Sequence, residues 1–496
     1  MKSTMRLFAF IAFSAAFTLG CAFFSEVVDS LTGTPAAIET SVDSQATAET
    51  QTTPAPTLQG SEADLAELFA PVWESRDYLR DYFVEQPVKD EVLAQGALDG
   101  LSVFLEAQGL ELEEIVVSEA APSAASLAEL ADTPAGSDRA FAAFWEAWRT
   151  IQYGDAQLVG TYEDLMHAAL RSMVEALGDP HTAFMDPNQV RQSDIQLEGE
   201  YDGIGAFVDT TTEFVTIIAP MDGSPAEQAG LKPGDMVVAV DGEDMTGVPG
   251  DAVISHILGP AGSPVVLTIQ REDEPETFDV EVVRAHINVP SVQGEILEGN
   301  IAYVQLLTFG ANSATELHDK VEDLLAEDPE GLILDLRNNG GGFLNTAVSI
   351  TSEFITDGVV LYEEYGDGSR DEYSAFSGGI ATDIYLVVLV NEGTASASEI
   401  LAGAIQDYER GLLVGATTFG KGSVQQPVAL SNEQGALRVT VAHWLTPDER
   451  LIHGIGLTPD VVVGLTDEDF EQGLDPQLDS AIELVNENAG TPSGQD

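Results

Sequence analysis

Two stretches of this chain hold residues that can do chemistry. Asn391-Glu-Gly-Thr-Ala-Ser-Ala-Ser-Glu-Ile400 places Ser396 in a turn of small residues ahead of an amphipathic segment. Phe419-Gly-Lys-Gly-Ser-Val-Gln425 places Lys421 between two glycines in apolar surroundings. A serine hydroxyl is a weak nucleophile until a base takes its proton. A lysine serves as that base when burial holds its amine neutral near pH 7. The pair suggests a serine hydrolase that works without histidine.

Each residue alone has plainer uses. A serine at a helix start is usually an N-cap, and a lysine among glycines is usually a solvated loop residue. Yet Ser398 is also available to cap the helix. The only lysines are Lys2, Lys89, Lys232, Lys320 and Lys421, so Lys421 belongs to no charged face. Gly415-Ala-Thr-Thr-Phe-Gly-Lys421 also matches part of a phosphate-binding loop. Such a loop continues with a Ser or Thr for magnesium and then a helix whose N-terminus faces the anion. Here Gly422 follows, and 423–430 contains Pro427 without helical periodicity, which speaks against nucleotide binding.

The elements that must position these residues alternate. Residues 301–307, 332–336 and 384–390 have strand patterns, and 313–326 and 344–354 have helical ones. That order predicts a layered α/β core. Chemistry then sits at the carboxyl ends of strands, where the glycine turn 340–342 and the Ser396 turn fall.

At this point the chain resembles a known family. NEGTASASEILAGAIQD followed by VGATTFGKGSVQQ looks like the carboxyl-terminal processing proteases, serine peptidases with a Ser–Lys dyad and an inserted PDZ domain. The likeness runs over roughly residues 62 to 486. It implies Ser396 as nucleophile, Lys421 as general base and Gln425 as the residue that orients the lysine. It implies an oxyanion hole of backbone N–H groups at Gly341, Gly342 and Ala397, the glycines lying in LILDLRNNGGGFL. It also implies a layered, crotonase/ClpP-like protease core within an α/β multidomain chain. Arg337 and Asn339 are expected to brace the oxyanion turn by hydrogen bonds. Gly203-Ile204-Gly205-Ala206 resembles a PDZ carboxylate-binding loop, and SPAEQAGLKPGD (224–235) follows at the fitting distance. Backbone N–H groups in such a loop grip a peptide's terminal carboxylate while the peptide adds a strand to the sheet. One departure concerns a basic residue that relatives often carry after the PDZ helix; here that position is Leu258.

Composition bounds the partners. With 84 acidic and 19 basic residues the formal charge is −65, which argues against nucleic acid and against charge-driven binding to anionic lipid. Solubility in a salty or acidic milieu accounts for such a surface. Lys2 and Arg6 precede an apolar run, 7–19, too short to span a bilayer, so 1–20 reads as an export signal. Cys21, the only cysteine, follows Thr18-Leu-Gly and resembles a bacterial lipobox, although Leu19 stands one place late. Lipidation of Cys21 would anchor the protein in the cell envelope outside the cytoplasm. Seven histidines are scattered without metal-ligand spacing, so neither a metal nor another cofactor is expected.

The expected organisation is a signal peptide (1–20), a flexible tether rich in Thr, Ala, Ser and Pro (21–60), an N-terminal helical region (61–195), a PDZ domain (196–287), a serine protease core (288–488) and a disordered tail (489–496). Within the helical region, Phe69-Ala-Pro-Val-Trp73-Glu74 is echoed by Phe141-Ala-Ala-Phe-Trp145-Glu146, each followed by a helical stretch, 91–107 and 162–177. The expected function is an exported serine endopeptidase that cleaves proteins near their C-termini and captures the free tail by its PDZ domain. Its partners are protein or peptide substrates with free C-termini and a membrane through the anchor; a homo-oligomer is open. The rival is a tethered, non-catalytic PDZ scaffold, whose decay would have been expected to cost Ser396, Lys421 or Gln425. A related α/β core acting on a small acyl ligand is a third reading, disfavoured by the PDZ insert.

Overall fold

The computed structural model describes residues 65–488 apart from 118–119, 157, 213 and 273. The expected signal peptide, Cys21, the tether and the tail lie outside the described residues. By contacts the chain forms two units. One gathers 187–424 and 442 onward; the other gathers the N-terminal helices with 425–441. A linear partition does not express that second grouping, because it depends on contacts distant in sequence.

The helical unit holds α1 (Leu65–Tyr82), α2 (Asp90–Glu106), α3 (Ala124–Leu130), α4 (Ala142–Tyr153), α5 (Tyr162–Glu175) and the short β1 (Ala183–Met185). A capping box starts α5: the Thr161 hydroxyl accepts the Asp164 amide at 3.0 Å and the Asp164 carboxylate accepts the Thr161 amide at 2.7 Å. The echoed motifs meet each other. Phe69 packs on Trp145 and Trp148 with ring centroids 4.8 and 4.7 Å away, and Trp73 meets Phe141 at 5.1 Å. Between α2 and α5 the backbones approach so closely that a Cβ on Gly100 would lie 2.3 Å from the Ala168 carbonyl.

In the other unit, α6 (Pro187–Glu198) leads into β2 (Glu200–Gly203), β3 (Ala206–Asp209), β4 (Val215–Pro220), α7 (Pro225–Gln228), β5 (Met236–Val240), β6 (Glu243–Asp244), α8 (Gly250–Ile257), β7 (Pro264–Gln270), β8 (Phe278–Val283) and β9 (Ala285–Asn288). The sheet order is β3-β4-β5-β7-β8, so β3 is an outermost strand, while β2 and β9 form a separate antiparallel ribbon. Ser224 caps α7 by accepting the Glu227 amide at 3.2 Å, with Pro225 in the first turn.

The core follows: β10 (Val292–Leu297), β11 (Ile301–Leu306), α9 (Ser313–Leu325), β12 (Gly331–Asp335), α10 (Leu344–Thr351), β13 (Val359–Tyr365), β14 (Arg370–Ser374), β15 (Leu386–Val390), α11 (Ala397–Asp407), β16 (Leu412–Gly415), β17 (Ser423–Ala429), β18 (Ala436–Leu445), β19 (Val461–Val462), α12 (Asp467–Gln472) and α13 (Pro476–Glu487). The main sheet runs β10-β11-β12-β15-β16-β19, parallel except for β10. Every residue of β12 and β15 is buried, as expected of parallel strands covered on both faces. Their side chains alternate between two cores. Leu332, Leu334, Leu386, Val388 and Val390 pack with α9, α10 and α11; Ile333, Val387 and Leu389 pack with α13. The result is a three-layer α/β/α core, the expected fold class.

Candidate active site

Ser396 sits in the tight turn between β15 and α11. Its backbone is at φ 57° and ψ −119°, a conformation that costs a non-glycine residue about 1–3 kcal/mol. Neighbouring hydrogen bonds hold it there. The Thr394 hydroxyl donates to the Leu336 carbonyl at 2.9 Å, and the Asn339 carbonyl accepts both the Ala395 amide at 3.0 Å and the Ser398 hydroxyl at 2.9 Å. Ser398 is therefore not the helix cap expected of it. It is fully buried and ties α11 to the glycine turn. Gly341 lies against the Ser396 turn: a Cβ there would come within 2.8 Å of Ser396 Cβ, the Ala395 carbonyl and the Ala397 amide.

The residue that joins the two stretches is Glu399, which sequence analysis passed over. It is fully buried. One of its carboxylate oxygens, Oε2, accepts the Ser396 amide at 2.9 Å and the Lys421 amide at 2.8 Å. The other, Oε1, accepts the Thr418 hydroxyl at 2.5 Å and the Gly420 amide at 2.7 Å. Burial pushes the Glu399 carboxyl above its ordinary value, against the pull of Thr418 and the three amides. The lysine loop is fixed from its other side too. The Trp444 indole donates to the Lys421 carbonyl at 3.0 Å, and the Trp444 amide to the Gly422 carbonyl at 3.1 Å. The signal that could have found Glu399 was its place three residues after Ser396, the spacing of a capping box.

Asn339 braces the glycine turn as expected, but Arg337 does not. Asn339 donates to the Leu306 carbonyl at 2.7 Å and accepts the Gly341 amide at 2.9 Å. The Gly341 donor is thus spent within the turn, which leaves Gly342 and Ala397 as the oxyanion candidates. Arg337 reaches away from the turn, donating to Asp335 Oδ2 at 2.6 Å, to Asp475 at 2.8 Å and to Gln477 at 3.2 Å. Burial alone would lower the Arg337 guanidinium, but Asp335 and Asp475 hold it above its ordinary value. Gln425, in β17, donates to Thr440 at 3.3 Å. Among the described residues no group of three or more His, Cys, Asp or Glu is placed to hold a metal ion.

Residues 300–463 match the family model of peptidase family S41, and 216–271 match that of a PDZ domain. The carboxy-terminal-processing protease of Bartonella bacilliformis is 36% identical over 61% of this chain and 70% of its own length. The carboxyl-terminal-processing protease of Synechocystis sp. is 35% identical over 64% of this chain and 76% of its own. The chain belongs to peptidase family S41. A further relative is the carboxy-terminal processing protease CtpA of Bacillus subtilis, 36% identical over 62% of this chain and 65% of its own. This S41 chain is therefore a serine-type peptidase with a PDZ domain, and proteins are its substrate class.

The loop 203–206 of this peptidase is pinned by its carbonyls. The Ile204 carbonyl accepts the Ala226 amide at 2.8 Å and the Gly205 carbonyl accepts the Met221 amide at 3.0 Å. Gly205 adopts φ +73°, and a Cβ there would lie 2.6 Å from Ser224 Cβ. At the far end of α8 stands Leu258. A base reaches this corner from elsewhere: Arg284, buried, donates to the Ile257 carbonyl at 2.6 Å and the His256 carbonyl at 3.1 Å, ending the helix. Tyr201 on β2 lies across Gly203, where an added Cβ would be 2.6 Å from its ring. Burial pushes the Tyr201 phenol up, while the Ala206 and Gly205 amides pull it back.

Proposed function

We propose that this chain is an exported endopeptidase that cleaves proteins near their carboxyl termini with a Ser396–Lys421 dyad. Ser396 attacks the scissile carbonyl, and Lys421, neutral, takes its proton. The Gly342 and Ala397 amides receive the developing oxyanion, an effect worth on the order of 3 kcal/mol per donor. Lys421 then protonates the leaving amine, and water releases the acyl group from Ser396. Gln425 orients the lysine. The observation that carries this assignment is the single Glu399 oxygen that accepts the amides of both Ser396 and Lys421. The PDZ loop 203–206 captures the substrate's free tail, and Cys21 carries a lipid anchor that holds the enzyme in the envelope.

The test of the dyad is direct. Ser396→Ala, Lys421→Ala and Lys421→Arg should each abolish cleavage of an unstructured protein with little change in unfolding midpoint. Arginine fails because it stays charged. Full activity in Ser396→Ala would overturn the mechanism. For the anchor, membrane association and globomycin-sensitive processing should vanish together in Cys21→Ser; a lipid-free, soluble mature wild type would rule it out.

A further inference from the structure

With 84 acids to 19 bases, a cation of this chain is expected to find a carboxylate. Arg149, Arg171, Arg271, Arg370 and Arg450 each do. Lys89 and Arg139 do not: neither side chain pairs with an acid among the described residues. Both line one groove of the helical unit, about 790 Å³ in volume, bordered by α1, α2 and the start of α4. Arg80 lines it too; its side chain is 44% exposed and stands 3.4 Å from Asp90. Two acids share the groove, Asp90 and Glu91. Asp90 is already committed. Its Oδ1 accepts from Arg76 Nε at 3.0 Å, and its Oδ2 accepts from Arg76 Nη2 and from the Ser137 hydroxyl, each at 2.7 Å. Arg76 is buried and cancels that charge. Three cations therefore face one uncommitted carboxylate, Glu91, in a molecule of net charge −65. Salt at about 0.1 M screens charges beyond about 10 Å, so for anything seated in the groove these cations outweigh the distant acids. Ala94, Ala140 and Ala143 line it as well, small side chains that let a main chain lie close.

We infer that this groove binds a polypeptide segment rich in Asp and Glu. The guanidinium groups of Arg80 and Arg139 suit carboxylates, which they can grip with two parallel hydrogen bonds, and Lys89 adds a point charge. A small anion such as phosphate would meet the cations but leave the alanine surface bare. A segment of several residues covers both. The groove lies wholly within the helical unit. Its ligand needs no free chain end, so the site is independent of the dyad and of tail capture.

The experiment uses the full chain carrying Ser396→Ala, so that peptides bind without being cut. The probe is a short peptide of alternating Glu and Ala, acetylated and amidated so that the PDZ loop finds no terminal carboxylate. Its twin carries Gln in place of Glu. Dissociation constants are measured at about 0.1 M sodium chloride. The acidic peptide should bind at least about tenfold tighter than the twin. Lys89→Gln and Arg139→Gln should each weaken it about twofold to fivefold, the range of an exposed ion pair, and together remove most of its advantage. Both side chains are exposed, so the unfolding midpoint should not move. Lys232→Gln combined with Lys320→Gln removes as much charge outside the groove and should leave both constants unchanged. Equal binding of the two peptides by the chain with its groove intact overturns the inference. So does equal weakening by the two pairs of substitutions, which would show an effect of net charge alone. Pyrophosphate should displace the acidic peptide only at concentrations at least about tenfold above that of the peptide. Full displacement at equal concentration would overturn the polypeptide in favour of a small anion.

Discussion

Glu399 shows how narrow the chemistry of one buried side chain can be. A carboxylate accepts and does not donate, and every group around this one is a donor: the Thr418 hydroxyl and the amides of Gly420, Lys421 and Ser396. Glu399→Gln keeps the shape but turns an NH2 group toward two amides. With a charge-assisted bond worth about 1.5–3 kcal/mol, kcat/KM should fall about tenfold to a hundredfold, and the unfolding midpoint should drop as well. Steady-state kinetics and calorimetry would check both, and wild-type activity in Glu399→Gln would sink the positioning role. Ser396 and Lys421 stand out in the sequence because small residues and scarce lysines mark them. Glu399 does not, because its partners at 418, 420 and 421 come from another loop. Ser398 was misread for the same reason, since its acceptor is the carbonyl of Asn339.

Elements differ in how much of them periodicity reveals. The strands and helices of the core fall within a few residues of their expected bounds, because their apolar repeats face buried cores. The echoed helices were legible as an echo, but not their mutual packing. Trp145→Ala, which opens that fully buried aromatic cluster, should cost about 3–5 kcal/mol in chemical denaturation. The ribbon of β2 and β9 carries a charge clamp. The His286 ring lies 3.1 Å from Asp202 and 3.2 Å from Glu200, whose hydrogen bonds, Asp202 first, raise its pKa above the ordinary 6.5. A raised folded pKa gives stability that is complete below the unfolded value and lost as pH climbs through the folded one. The midpoint difference between wild type and His286→Gln should therefore shrink from about pH 6 to about pH 9. A difference that grows with pH would exclude the clamp.

At the scale of the whole molecule the dominant fact is charge. A net −65 repels itself, and salt screens that repulsion over a Debye length of about 10 Å at 0.1 M. The unfolding midpoint should rise with sodium chloride, and a midpoint that falls would show that screened ion pairs matter more. Composition made that legible, whereas the grouping of 425–441 with the N-terminal helices needed the fold. Acid acts on this molecule in opposed ways. It discharges the surface, which relieves the repulsion. It also protonates Glu399, whose raised pKa means the folded protein takes up that proton more readily than the unfolded chain. Both changes favour the folded state, whereas protonating Asp90 and Asp179, which burial alone would raise but their hydrogen bonds hold below the ordinary carboxyl value, disfavours it. A protonated Glu399, however, can no longer accept from all four donors, so the grip that holds Ser396 and Lys421 together slackens. Competence and durability therefore answer to different carboxyls as pH falls: the hold on Ser396 and Lys421 loosens through Glu399, and the fold itself weakens through Asp90 and Asp179.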